Sequence, residues 1–147
     1  MTDDQVRADA PTAIDELASP ASPVHLDTSF LINALVPGTP EDGRLRGWLE
    51  QGTAIAISCI GWAEFLCGPV SHDDRQRARK VVGMPLPLVE EEAVQAAALF
   101  NVGGRRRGSL PDSLIAAAAL KAGATLATSN GGAFRRFKRA GLKLVSD

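Results

Sequence analysis

Five short runs of mostly apolar residues punctuate the chain: VHL at 24–26, TAIAI at 53–57, LPLV at 86–89, TLAT at 125–128 and LKLV at 142–145. Each is too short for a helix, and each lies between stretches that carry helical periodicity or helix-capping signals. Strands that alternate with helices and are apolar on both faces cannot leave a sheet face in water. They predict an α/β fold, a three-layer αβα sandwich around a central, mainly parallel sheet of four to five strands.

The helical stretches follow from local signals. One runs from Asp27 through Leu35 and stops at Pro37-Gly38, and an amphipathic one covers Glu41 to Gln51 with Leu45, Trp48 and Leu49 turned inward. Others span Ser58 to Cys67, Asp73 to Val82 and Glu90 to Val102, the last opening on three glutamates that suit the positive end of a helix dipole. Pro111 starts an alanine-rich helix that Gly123 ends, and a final helix covers Ala133 to Ala140. Residues 1–23 hold five acids and three prolines without an apolar period, so they read as a flexible tail before one domain at 24–147. Cys59 and Cys67 are eight apart, which matches neither a CxxC pair nor a disulfide framework, and both are expected as buried free thiols. Without an apolar signal core or a run of about 18 apolar residues, no membrane association is expected and the cytoplasm is the default compartment.

Charge is distributed unevenly. Before residue 101 there are seven Lys/Arg against fifteen Asp/Glu, and from 101 onward nine against two, which hints at a polyanionic partner for the basic half. Within this pattern three acids stand apart. Asp27 ends the first apolar run, Glu64 is the only charged residue from Ala54 to Cys67, and Asp112 is the only one between Arg107 and Lys121. Alone, Asp27 suits a helix N-cap, Asp112 suits a first helical turn, and Glu64 could reach solvent or an arginine. In parallel α/β sheets, however, sites form beyond the carboxyl ends of the strands, and there Asp27, the starts of the helices bearing Glu64 and Asp112, and the turn Thr128-Ser129-Asn130 would meet. Carboxylates about 4 Å apart repel by roughly 4 kcal/mol at an effective dielectric near 20, so such a cluster must be protonated or neutralised by a cation. Oxygen donors in this number select Mg²⁺ or Mn²⁺, which activates water and leaves positions open to phosphate oxygens.

Four segments in order, VHLDTSFLINAL, SCIGWAEFLCG, GRRRGSLPDSLIAAAAL and TLATSNGGAFRRF, resemble a PIN-domain ribonuclease of the VapC toxin type over residues 24–147. The resemblance implies Asp27, Glu64 and Asp112 as metal-holding catalytic acids, with the Thr28 and Ser29 hydroxyls near the RNA phosphate. It also implies Mg²⁺- or Mn²⁺-dependent cleavage of RNA and, for toxin members, a homodimer neutralised by a cognate antitoxin. The family often closes the cluster with an acid where this chain has Asn130 or Ala133. Asn130 offers an amide oxygen in its place, without the fourth negative charge.

Arg105, Arg106 and Arg107, set among glycines before the Asp112 helix, are expected to contact RNA phosphates by bidentate hydrogen bonding, and Arg135, Arg136, Lys138 and Arg139 extend the positive surface. His25 and His72 are assigned no role. Trp48, Trp62 and Phe65 read as core or groove residues. Two competing functions remain: a catalytically weak PIN scaffold that binds RNA or a protein partner without turnover, and a phospho-accepting receiver domain. The receiver would need paired acids after its first strand, where this chain has one.

Overall fold

The computed structural model describes residues 22–106 and 108–145; the expected tail therefore falls, but for residues 22 and 23, outside the described residues. Its sheet has four parallel strands in the order β2-β1-β3-β4. The strands are β1 (Val24–Leu26), β2 (Ile55–Ala56), β3 (Thr125–Ala127) and β4 (Lys143–Leu144). The chain lays β1 first, adds β2 on one side, and returns to place β3 on the other, with Leu26 opposite Ala127. The sheet thus reverses its direction of growth between β1 and β3, and parallel strands there part their following segments to leave a crevice.

The helices are α1 (Thr28–Ala34), α2 (Pro40–Glu50), α3 (Cys59–Cys67), α4 (His72–Val82), α5 (Glu90–Val102), α6 (Leu110–Ala122) and the short α7 (Gly131–Phe134), which runs into a 3₁₀ turn over Arg135–Ala140. Their starts are chemically marked. Thr39, Ser58 and Ser71 accept hydrogen bonds from the amides of Asp42, Gly61 and Asp74 at 3.0, 3.1 and 3.1 Å, and Gly123 ends α6 in the left-handed conformation, with φ of 63°. The central strands β1 and β3 are largely buried, whereas the edge strands β2 and β4 are only partly so. One core gathers Val24, Leu26, Phe30, Leu31, Leu45, Ile57 and Phe65, and the other gathers Leu99, Ile115, Leu126, Phe134 and Phe137. Leu126 and Ala127 fall in different cores, as strand alternation requires. α6 is buried on nearly every face, and its run Ala116 to Ala119 lets α5 pack along it.

Several expectations change. The run 86–89 forms only one bridge, Leu86 to Ser58, because Pro85 and Pro87 bring no N–H to a ladder. Leu49 is 46% exposed, so α2 turns Leu45 fully inward and Trp48 only partly, stacked on Phe30 at 5.5 Å. Cys59 and Cys67 are free but exposed rather than buried. His25, assigned no role from sequence, is buried, and that burial lowers its pKa against the opposing influence of Glu92.

Two glycine substitutions should separate helix entropy from space. Gly47 lies inside α2 with nothing within 4 Å of an added Cβ, so Gly47→Ala should stabilise the chain by about 0.5–1 kcal/mol. At Gly103 the same methyl would stand 3.0 Å from the Leu99 carbonyl and 3.0 Å from Arg136 Nε, and Gly103→Ala should cost about 1–3 kcal/mol. Thermal melts of the two variants, moving in opposite directions, check the packing at both sites.

Candidate active site

Asp27 follows β1 at the point where the sheet reverses, and Thr128 follows β3 beside it. Asp27 occupies the N-cap position of α1, yet its side chain caps no helical amide. Instead its Oδ2 accepts hydrogen bonds from Thr128 Oγ1 and Ser29 Oγ, each at 2.8 Å. The carboxylate is only 6% exposed, so these hydroxyls replace much of the water it gives up. The network continues outward. Thr128 Oγ1 accepts from the Asn130 amide at 2.9 Å, and Ser29 Oγ accepts from the Ser129 amide at 3.0 Å. Ser129 Oγ donates to Glu41 Oε2 at 2.8 Å, which holds Glu41 below the usual carboxylate range.

Glu64 projects from α3 at the rim. Thr28 Oγ1 lies 3.4 Å from its Oε1 and donates at 2.7 Å to the Gly61 carbonyl one turn earlier. Asp112 sits in the first turn of α6. Desolvation, then the charges of Asp27 and Asp112, raise the Glu64 pKa; desolvation, then Asp27, raise that of Asp112, partly opposed by Arg136. The three acids from three elements therefore share one field. Their donors are all oxygens, which suits a hard divalent ion, although among the described residues no three His, Cys, Asp or Glu side chains stand close enough to hold one between them.

The remaining predicted residues separate. Asn130 is exposed in the turn before α7 and takes part through its backbone amide. Arg105 is exposed, donates to Asn101 at 2.8 Å and lies 5.7 Å from the Phe100 ring centroid. Arg106 is exposed, its carbonyl accepting from Ser109 Oγ at 2.7 Å, and Arg107 lies outside the described residues. Arg136, grouped above with the surface cations, turns inward instead. It lies 4.4 Å from the Phe137 ring centroid, donates through Nη1 to the Ala133 carbonyl at 2.7 Å, and leaves Nη2 buried without a hydrogen-bond partner among the described residues. Sequence reasoning treated Thr128 only as part of a turn and passed over Glu41. The available signal was a hydroxyl at the end of the strand that neighbours β1, but strand order is needed to read it.

The PIN domain family profile matches residues 24–140. No curated protein matches. Among solved structures, a toxin–antitoxin complex from Klebsiella pneumoniae is 26% identical, with a TM-score of 0.57 over 84% of this chain and 96% of that one. VapBC2 from Rickettsia felis, bound to a DNA fragment from its promoter, is 23% identical with a TM-score of 0.64, covering 83% and 96%. VapC20 of Mycobacterium tuberculosis, described as a sarcin–ricin-loop-cleaving toxin, is 21% identical with a TM-score of 0.61, covering 84% and 99%.

The shared field predicts how the metal-free protein responds to pH. Glu64 and Asp112 have folded pKa values above their ordinary ones. The fold therefore prefers them protonated, and the stability that these two groups contribute is fully present below the unfolded pKa of about 4 and is lost as pH rises through the raised folded values. In chelator, Glu64→Gln and Asp112→Asn should each melt above the parent at pH 8, with the advantage vanishing near pH 4. Thr128→Val removes a donor to the enclosed Asp27 and should lower stability by about 1–3 kcal/mol. Melting curves across that pH range test both statements.

Proposed function

From the premise that this chain belongs to the PIN domain family, we propose that it is a Mg²⁺- or Mn²⁺-dependent endoribonuclease and the toxin of a toxin–antitoxin pair. The observation that carries the reading is Asp27. It is nearly enclosed at the reversal of the sheet, is held by two hydroxyls rather than used as a cap, and its charge raises the pKa of both other acids. A stability-driven cluster would not accumulate like charge. One that receives a cation would.

Asp27, Glu64 and Asp112 would hold the ion, which supplies Lewis-acid activation of the phosphodiester and of the attacking water. The residues around them position these acids. Ser29 and Thr128 fix the Asp27 carboxylate, and Thr28 ties the rim of α3 to α1. Because the Thr28 and Ser29 hydroxyl hydrogens are already engaged, we assign both residues to orienting the acids where the RNA phosphate arrives. Arg105, Arg106 and Arg107, just before the Asp112 helix, would draw the RNA backbone toward the site, and Asn130 would offer its amide at the rim. A cognate antitoxin and a homodimer complete the proposal. The antitoxin is supported by the Klebsiella pneumoniae neighbour, a toxin–antitoxin complex, and the homodimer follows from the family resemblance.

A second reading is favoured by specific residues. Asn130 and Ala133 stand where a fourth acid is often found, and the three acids present are not drawn into a closed shell. A scaffold that binds RNA or a partner without useful turnover would have these features. The two readings part on cleavage. With Mn²⁺ or Mg²⁺ added, the purified protein should cut single-stranded RNA, and Asp27→Asn and Asp112→Asn should each reduce the rate by about tenfold or more, a loss of at least about 1.4 kcal/mol of transition-state stabilisation, with the fold retained by circular dichroism. Restoring a charge by Asn130→Asp or Ala133→Asp should tighten Mn²⁺ binding in at least one variant, read by calorimetric titration. Undiminished cleavage by the Asp27 and Asp112 variants would remove the assignment.

A further inference from the structure

Beside the acids lies a second concavity, a cavity of about 440 Å³ between α2, the ends of β3 and β4, and the 3₁₀ turn. Thr128 and Ser129 line it, and Thr128 Oγ1 is the same atom that donates to Asp27, so the cavity begins one side chain away from the acid network. Three cations also line it: Arg44, Arg135 and Lys138. Among the described residues the only ion pairs within 4.0 Å join Arg46 to Asp42 and Arg77 to Asp74, so none of the three has a carboxylate partner there. The one acid in the lining, Glu41, is engaged by Ser129, and its charge leaves the cavity an excess of two positive charges at neutral pH. Arg44 is close enough to favour the ionised Glu41 without pairing with it.

The lining also has an apolar part, to which Leu144 of β4 and Val145 after it contribute together with Phe30 and Pro40. An anion alone needs no apolar lining, and an apolar ligand needs no such charge. The combination suits a ligand with an anionic part and a flat, weakly polar part, in a volume typical of small-molecule sites.

We propose that this cavity takes the nucleotide next to the cleaved bond of a single-stranded RNA, its phosphate held by Arg44, Arg135 and Lys138 and its base or sugar set against Leu144 and Val145. The inference rests on the RNA reading above and gives that reading a direction. The strand runs from the acids across Thr128 and Ser129 toward β4. It also assigns unlike roles to neighbouring cations, since Arg136, one residue after Arg135, is packed on Phe137 and cannot serve.

The test uses the full chain in chelator with a labelled, non-cleavable 2′-O-methyl oligonucleotide of mixed sequence. The combined variant Arg44→Ala, Arg135→Ala, Lys138→Ala is compared with a charge-matched control on α4: Arg75→Ala, Arg79→Ala, Lys80→Ala. Affinity should fall by about tenfold or more for the cavity variant, and the slope of log K against log salt should shrink by about 0.7, since the three cations together neutralise one phosphate. The control should stay within about twofold of the parent. Equal losses in both variants would mean that only net charge matters, and an unchanged affinity and slope in the cavity variant would mean that the RNA passes elsewhere; either overturns the proposal. Cleavage with Mn²⁺, measured in parallel on unmodified RNA, separates the two readings. A parent that binds through the cavity but does not cut upholds the subsite and rejects the nuclease. A parent that cuts while the cavity variant binds normally does the reverse. A parent that binds no oligonucleotide overturns the subsite, and one that also fails to cut overturns both.

Discussion

A carboxylate at the end of a strand that is covered on both faces must be hydrogen-bonded by its own protein, and the site follows from how that need is met. Asp27 has lost nearly all its water. An unsatisfied buried carboxylate would cost several kcal/mol or take up a proton. Its donors come from opposite ends of the chain: Ser29, two residues later, and Thr128, 101 residues away. The second is available only because β1 and β3 are parallel neighbours in a register that sets Leu26 beside Ala127. Slipping that register by one residue would exchange Leu126 and Ala127 between the two cores and carry Thr128 away from Asp27. Packing on both sides of the sheet therefore fixes the hydrogen bond, and the hydrogen bond fixes the acid.

Around this anchored acid the electrostatics are left unbalanced. Glu64 and Asp112 are partly desolvated and repelled by Asp27, and Arg136 relieves Asp112 only in part. Arg136 is itself constrained: Phe137 lies under its guanidinium, the Ala133 carbonyl takes one of its donors, and another donor is left without a partner among the described residues. Such an arrangement sacrifices local stability, because like charges are held together with only partial relief. The missing fourth carboxylate lessens the repulsion.

The positive half of the sequence resolves into three kinds of cation, although composition treats them as one. Arg105 leans on Asn101 and Phe100 near the start of the Asp112 helix. Arg136 is folded into the core margin. Arg135 and Lys138, from the same short segment, face a cavity that they share with Arg44 from the acidic half. A 3₁₀ turn of about three residues per turn places 135 and 138 on one side and turns 136 away. An α-helix, expected for 133–140, would have set these residues at other angles.

The sequence by itself determined the alternation of strands and helices, because short apolar runs bounded by caps and glycines have few other folds. It also marked Asp27, Glu64 and Asp112, because an isolated charge in an apolar stretch is visible without coordinates. It misjudged positions whose environment depends on neighbours distant in the chain. Local pattern gave no sign that His25 would face Glu92, that Cys59 and Cys67 would reach the surface, or that residues 86–89 would keep a single bridge. Only the tertiary structure decided that Thr128 completes Asp27 and that Arg44 joins Arg135 and Lys138. The physical reason is that periodicity and capping act over a few residues, whereas strand order sets which distant ends meet, and here the meeting of β1 with β3 makes the site.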